Sequence, residues 1–569
     1  MNRATRLGAL VLACAACAHR PAPPGPPAAS SPLDHEGPAT APGQSSAPPA
    51  GPSAPPNPGA PASSNAARLA SIRSSVEQTL ARQAKLLWET WTRGAPPDLD
   101  ASLARREPLF SAERSPETLA FAKDARERAR NEDRRALSLL HAFLLGEHLS
   151  GELAPAQAPQ ATLTWNGRAV AITQVPKLLS AEPDPARRAA LEHAWAEAGR
   201  RRGTAEEARW RGIAAAARRV GYGSLLALAA ELRGEPVEAL ATLARGVLGA
   251  TEPTYRALLQ TLAREEMGTE LSSLRGRDLP RLLRVGEDAR AFPASRATAD
   301  VRETLAALGL DLERRPGVVL DLEARPGKDP RPLALPVEVP GSVRVSFAPQ
   351  GGAAELRALL HEMGAATFYA HVATPVLEFR RLGTVTAECW AFLFEDLAGD
   401  PSWLSERTKL ADSHLTPVVR AAAARRLHAA RTLSARILVE IEREREPGRA
   451  RDAAKAVLES AFARPVEPDE LQLFLQERDP LLESADALRA LLLAAQAQAF
   501  LSNRAGSSWW RSKESGQWLA TAFAEGSRLD PGELARSFGA PGVDASALAA
   551  SSRVRAAAAG IRVAQAEAR

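Results

Sequence analysis

The residues with the clearest chemical potential lie in one stretch, LLHEMGAATFYAH, residues 359–371. On a helix, the pattern His-Glu-x-x-His sets two imidazoles about 40° apart around the axis, so both reach one zinc ion while the glutamate activates its water. His361 and Glu362 take the first two positions, and Ala365 stands where the second histidine belongs. A methyl group coordinates nothing. The chemistry at issue is therefore metal-assisted hydrolysis of a peptide bond with one metal donor missing. His371 does not replace it: ten residues after His361, it lies about 15 Å along the axis and about 80° off the ligand face.

The surroundings give the dipeptide its weight. The apolar run AAELRALLHEMGAATFYAHV is preceded by strand-like alternation over residues 317–352 and by the pair Gly351-Gly352. It is followed by LEFRRLGTVTAECWAFLFEDL, which carries Glu388 and Cys389 on the next predicted helix. This arrangement resembles the gluzincin zinc metallopeptidases of the thimet oligopeptidase and oligoendopeptidase F family, and the HEMG run is also similar to the angiotensin-converting enzyme family. Looser similarity extends to ARWRGIAAAARRVGYGSLLALAAELRG (208–234) and to the segment 488–539, so that it spans about residues 66 to 540.

The resemblance implies a mainly α, two-lobed helical fold with a deep central channel, and a small β-sheet beside the active-site helix. It matches His361 to the first zinc ligand, Glu362 to the general base and Glu388 to the third ligand, and sets Gly351 and Gly352 on the substrate side. The strand before the metal helix is expected to offer its edge to a peptide's backbone. Cys389, if helical, points about 100° away from Glu388 and reads as a small buried hydrophobe. The family stabilises the oxyanion with tyrosine or histidine side chains downstream of the third ligand. Here the three tyrosines, Tyr222, Tyr255 and Tyr369, all precede that region, and only His414 and His428 follow it. Metal and oxyanion functions are thus both short of residues.

Helices must position these groups. Apolar residues recur at helical spacing over 63–94 and 115–149. Asp184-Pro185 opens one helix, and Asp530, Pro531 and Glu533 spell a capping box around a first-turn proline. Asn166-Gly167 within TLTWNGRAVAIT marks a β-hairpin at 162–173. The expected organisation is a signal segment at 1–17, a Pro/Ala/Ser-rich disordered tether at 18–65, a helical amino-terminal lobe at 66–315 and a metallopeptidase-like lobe at 316–569.

Composition narrows the partners. Across 569 residues, 72 basic side chains against 67 acidic ones leave a net charge of only +5. The two signs interleave along helices and no nucleic-acid module is recognisable, so no nucleic-acid partner is expected. Residues 1–17, MNRATRLGALVLACAAC, combine two arginines, a short apolar run and small residues before a cysteine, which looks like a bacterial lipoprotein signal. Cys17, or alternatively Cys14, is the expected lipidation site; an ordinary secretory signal is the competing reading. The expected location is the cell envelope, at the outer membrane facing the periplasm, with membrane contact through the lipid. Three cysteines in all exclude a disulfide framework and a cysteine-built zinc site.

Three readings remain open from the sequence. The first is a pseudopeptidase that binds short peptides, with a degenerate site. The second is an active zinc oligopeptidase with an atypical metal site. The third is a structural or interaction lipoprotein. Zinc is the cofactor if the site functions, and there is none otherwise.

Overall fold

The computed structural model describes residues 62–94, 115–152, 162–284 and 290–563. The signal segment with Cys14 and Cys17, and nearly all of the tether, lie outside these residues. Helix dominates, as expected, and two small sheets accompany it.

The labelled helices are α1 (Ala62–Arg93), α2 (Pro116–Arg128), α3 (Asn131–Glu152), α4 (Pro185–Arg219), α5 (Val237–Met267), α6 (Ala353–His371), α7 (Leu377–Arg381), α8 (Thr384–Glu395), α9 (Asp412–Arg445), α10 (Glu483–Ala505), α11 (Lys513–Ala524) and α12 (Ser546–Ala558). Local chemistry starts several of them. The Asp184 side chain accepts from Ala186 N at the head of α4, ahead of Pro185. Asp530 and Glu533 form the reciprocal capping box expected of them, each satisfying an amide the first turn leaves open.

The hairpin pairs β1 (Thr162–Trp165) with β2 (Arg168–Ala171), and its turn residues Asn166 and Gly167 both have positive φ, at 50° and 73°. That is the backbone a two-residue hairpin needs and that Asn-Gly adopts at little cost. The second sheet has the order β3-β5-β4, from β3 (Val318–Asp321), β4 (Leu333–Glu338) and β5 (Ser342–Ser346). β3 runs parallel to β5, and β4 antiparallel to it.

Side-chain alternation gives this sheet two buried faces. Ala334, Val343 and Val345 turn into one core with Leu360 and Met363 of α6, whereas Leu333 and Leu335 pack on Leu87, Trp88 and Trp91 of α1. The core beneath the sheet continues through α6, α8, α10 and α11 with Phe368, Trp390, Phe394, Leu493 and Phe523. A second core joins α5 to α9, α10 and α12, and a third joins α1, α2, α3 and α4. Among the described residues, no helix is long and apolar enough to cross a membrane.

Candidate functional site

Helix α6 is apolar nearly all round, so it is buried on every side rather than along one stripe. Its start uses the glycine pair: Gly351 and Gly352 have φ of 94° and 102°, a backbone open to glycine and strained for other residues. The amides there are committed to structure. Gly351 N donates to the Glu355 carboxylate at 2.7 Å, and Gly352 N to Phe292 O at 2.8 Å. From Gly352 to His361, midway along α6, the helix rises about 14 Å, so the pair sits at the amino-terminal end, away from the histidine.

Helices α6 and α8 approach closely because Gly364 faces α8. A Cβ at that position would lie 3.0 Å from Phe394 Cβ and 3.1 Å from Trp390 O. This crossing brings the expected residues together. His361, fully buried, has Nε2 3.5 Å from Glu388 Oε2. Its Nδ1 lies 2.9 Å from Glu395 Oε2, and its ring meets Phe392 edge-on, with centroids 5.2 Å apart. Burial pushes the Glu388 carboxyl up to about 8; His361 opposes this, and the nearby Glu362 and Glu395 reinforce it. Glu388 Oε2 is buried and makes no hydrogen bond among the described residues.

Glu362, on the next position of α6, accepts a hydrogen bond from the backbone N–H of Ala334 at 2.7 Å. That amide belongs to β4 and points at the carboxylate instead of at another strand. The expectation that the strand before the helix offers a free edge is not met. β5, the strand immediately before α6, is the middle of the sheet, with its backbone bonded to β3 and β4. The outer edge near the site belongs to β4, and the chain's own side chains occupy part of it. Beyond Glu362, Arg381 of α7 donates to Pro336 O and, at 3.2 Å, to Val337 O. Pro336 suits such an edge, since it has no N–H to leave unpaired.

The remaining candidates are placed elsewhere. His371 ends an unbroken α6, its Nδ1 donating to Thr367 O at 2.8 Å and its Nε2 accepting from Arg315 Nε at 3.1 Å. Cys389 is buried with its thiol pKa raised by desolvation, as befits a packing residue. His414 is exposed on α9. His428 is half-buried on α9 and faces α5, where its Nδ1 shares a 2.7 Å hydrogen bond with Tyr255 OH. Tyr369 is buried within α6.

The fit of a zinc ion can be judged from the donors. Two ligands about 2.0–2.2 Å from a tetrahedral zinc stand roughly 3.4 Å apart, close to the 3.5 Å between His361 Nε2 and Glu388 Oε2. The third corner fails. Ala365, one turn beyond His361 and on the same face, is a buried methyl group. Among the described residues, no group of three or more His, Cys, Asp or Glu side chains is placed to hold a metal ion. The site offers two donors where a catalytic zinc takes three.

Sequence reasoning passed over Glu395 and Phe392. Both lie on the same face of α8 as Glu388, Phe392 four residues on and Glu395 seven, and that spacing was the available signal. Against models of known protein families and against curated proteins, the chain finds no match.

Proposed function

We propose that this protein is a metallopeptidase-like, lipid-anchored pseudopeptidase of the bacterial envelope, which binds short peptides instead of hydrolysing them. The reading joins the sequence resemblance to the gluzincin oligopeptidases with one observation that carries it: the buried Ala365 methyl where the second imidazole belongs, beside a His361–Glu388 pair at ligand spacing. Without three protein donors, the ion that polarises a scissile carbonyl and lowers the pKa of its water is poorly held. Glu362 then has no activated water to deprotonate, and its hydrogen bond to Ala334 N gives it a structural task. The anchor would be Cys17, or Cys14, with the chain facing the periplasm.

One observation favours an active zinc peptidase instead: the near-tetrahedral separation of His361 Nε2 and Glu388 Oε2. Metal analysis and zinc calorimetry on the full chain, beside Ala365→His, separate the two. The expected result is no tightly bound zinc in the wild type and one per chain in the variant. A wild type that holds zinc tightly and cleaves quenched fluorescent peptides overturns the pseudopeptidase reading.

A further inference from the structure

We propose that the contact of α4 with residues 464–476 is a pH-sensitive latch, closed in acid and loosened above neutrality, with the buried carboxylate of Glu192 as its sensor. The latch is remote in sequence from the peptidase-like site and does not depend on how that site is read.

The apolar side chains of the two elements turn to different cores. Leu191 and Ala198 of α4 pack in a small cluster with Leu163 of the hairpin, whereas Leu471, on the helix Pro468–Gln476, belongs to the second core. Charged groups meet between them. Arg277, in the turn Gly276–Asp278, donates from one nitrogen, Nη1, to Glu192 Oε2 and to Glu467 Oε2, each at 2.9 Å. Arg275 also holds Glu467, Arg464 is taken by Glu470, and Arg188 of α4 by Asp278. The fit is close: a Cβ at Gly199 of α4 would overlap the Gln476 amide, and one at Gly276 the Glu470 carboxyl.

Glu192 is more deeply buried than Glu467 or Glu470, and it shares its cationic nitrogen with one of them. Ionised, it must give up water beside two other carboxylates; protonated, it still accepts from Arg277 and repels neither. Burial pushes its carboxyl up to about 7; Arg277 opposes this, and Glu470 and Glu467 reinforce it. The closed contact thus keeps a proton that an exposed glutamate has already lost, so closure is favoured at low pH and is lost as pH rises through about 7. At the exposed rim His193 Nδ1 lies 2.9 Å from Asp469 Oδ2, a pair that a proton on the ring also strengthens. Behind Arg464 stand Tyr255 and His428. Burial holds the phenol above its ordinary value and the imidazole down at about 3, so neither changes charge near neutrality.

The test is amide exchange of the full chain followed from pH 5 to pH 8, with the intrinsic pH dependence of exchange divided out. Protection over 186–200 and 468–476 should fall about 10-fold between pH 6 and pH 8, while that of 137–149 in the third core holds. Glu192→Gln, which keeps an accepting oxygen and never ionises, should retain at pH 8 the protection it has at pH 6. Glu467→Gln removes one crowding charge and should move the fall to lower pH. Protection that stays flat in the wild type overturns the latch, and so does a fall that persists unchanged in Glu192→Gln. Should that variant fail to fold, a fall left undisplaced in Glu467→Gln overturns it equally.

Discussion

Glu362 and Ala334 are joined across 28 positions of sequence by a 2.7 Å hydrogen bond in which a helical carboxylate accepts from a strand amide. The bond ties α6 to the outer edge of β4 and closes that amide to any added strand. A peptide that augments β4 must displace Glu362 there, and Arg381 at Pro336 and Val337. The Glu362 carboxylate thus holds the sheet to the helix.

Glu362→Ala should cost about 1–3 kcal/mol of stability, because it leaves the Ala334 amide buried without an acceptor. Glu362→Gln, which keeps an oxygen, should cost less. Denaturant unfolding gives the magnitudes, and amide exchange at Ala334 should quicken in the alanine variant. Equal stability of all three proteins would show that this bond contributes nothing.

Gly364→Ala sets a propensity gain of about 1 kcal/mol against overpacking of roughly 1–3 kcal/mol. Overpacking should win, since the obstacles are the backbone oxygen of Trp390 and the Cβ of Phe394, neither at the end of a flexible side chain. A lower melting temperature, with disturbed His361 signals, is the expected outcome. A stabilised variant would mean that α6 and α8 can move apart freely.

Zinc should change the stability of one variant and not of the wild type. At a free concentration 100 times its Kd, zinc should stabilise Ala365→His by about 2.7 kcal/mol. The wild type should melt at the same temperature with zinc or with a chelator. A zinc-dependent shift in the wild type would reveal a donor beyond His361 and Glu388.

Acid should weaken the packing of α5 on α9 through His428. Burial, with the Arg464 and Arg431 charges adding to it, lowers this imidazole from 6.5 to about 3. The folded state therefore binds fewer protons than the unfolded chain between those values, and stability falls as pH drops through that window. The slope approaches about 1.4 kcal/mol per pH unit for one proton. His428→Phe should flatten the pH profile of unfolding over this range, and an unchanged slope would remove His428 as its source. Arg464 is held by Glu470 and Arg431 by backbone carbonyls, so neither is expected to titrate in that window.

Much of the local architecture was legible because neighbours in sequence decide it. The Asn166-Gly167 turn, the Asp184 cap and the Asp530–Glu533 box depend on backbone conformations and reach of a few residues. His361, Glu362 and Ala365 share a face because α-helical spacing puts them there. Even the proximity of Glu388 followed from two adjacent helices in a resembling arrangement. Placement across the chain was another matter. Sequence order puts β5 next to α6, but only pairing with β3 and β4 makes it the middle strand and removes its edge.

The sequence by itself determined a mainly helical chain, the absence of a second imidazole, and the short list from which a site could be built. Tertiary structure decided what each member does. Glu395 reaches His361 because Gly364 lets two helices approach, and Glu362 meets a strand amide instead of open solvent. Tyr255 finds His428 across 173 positions. Such contacts depend on helix crossings and strand order, which no local periodicity encodes, because they arise from how buried faces choose one another across the whole chain.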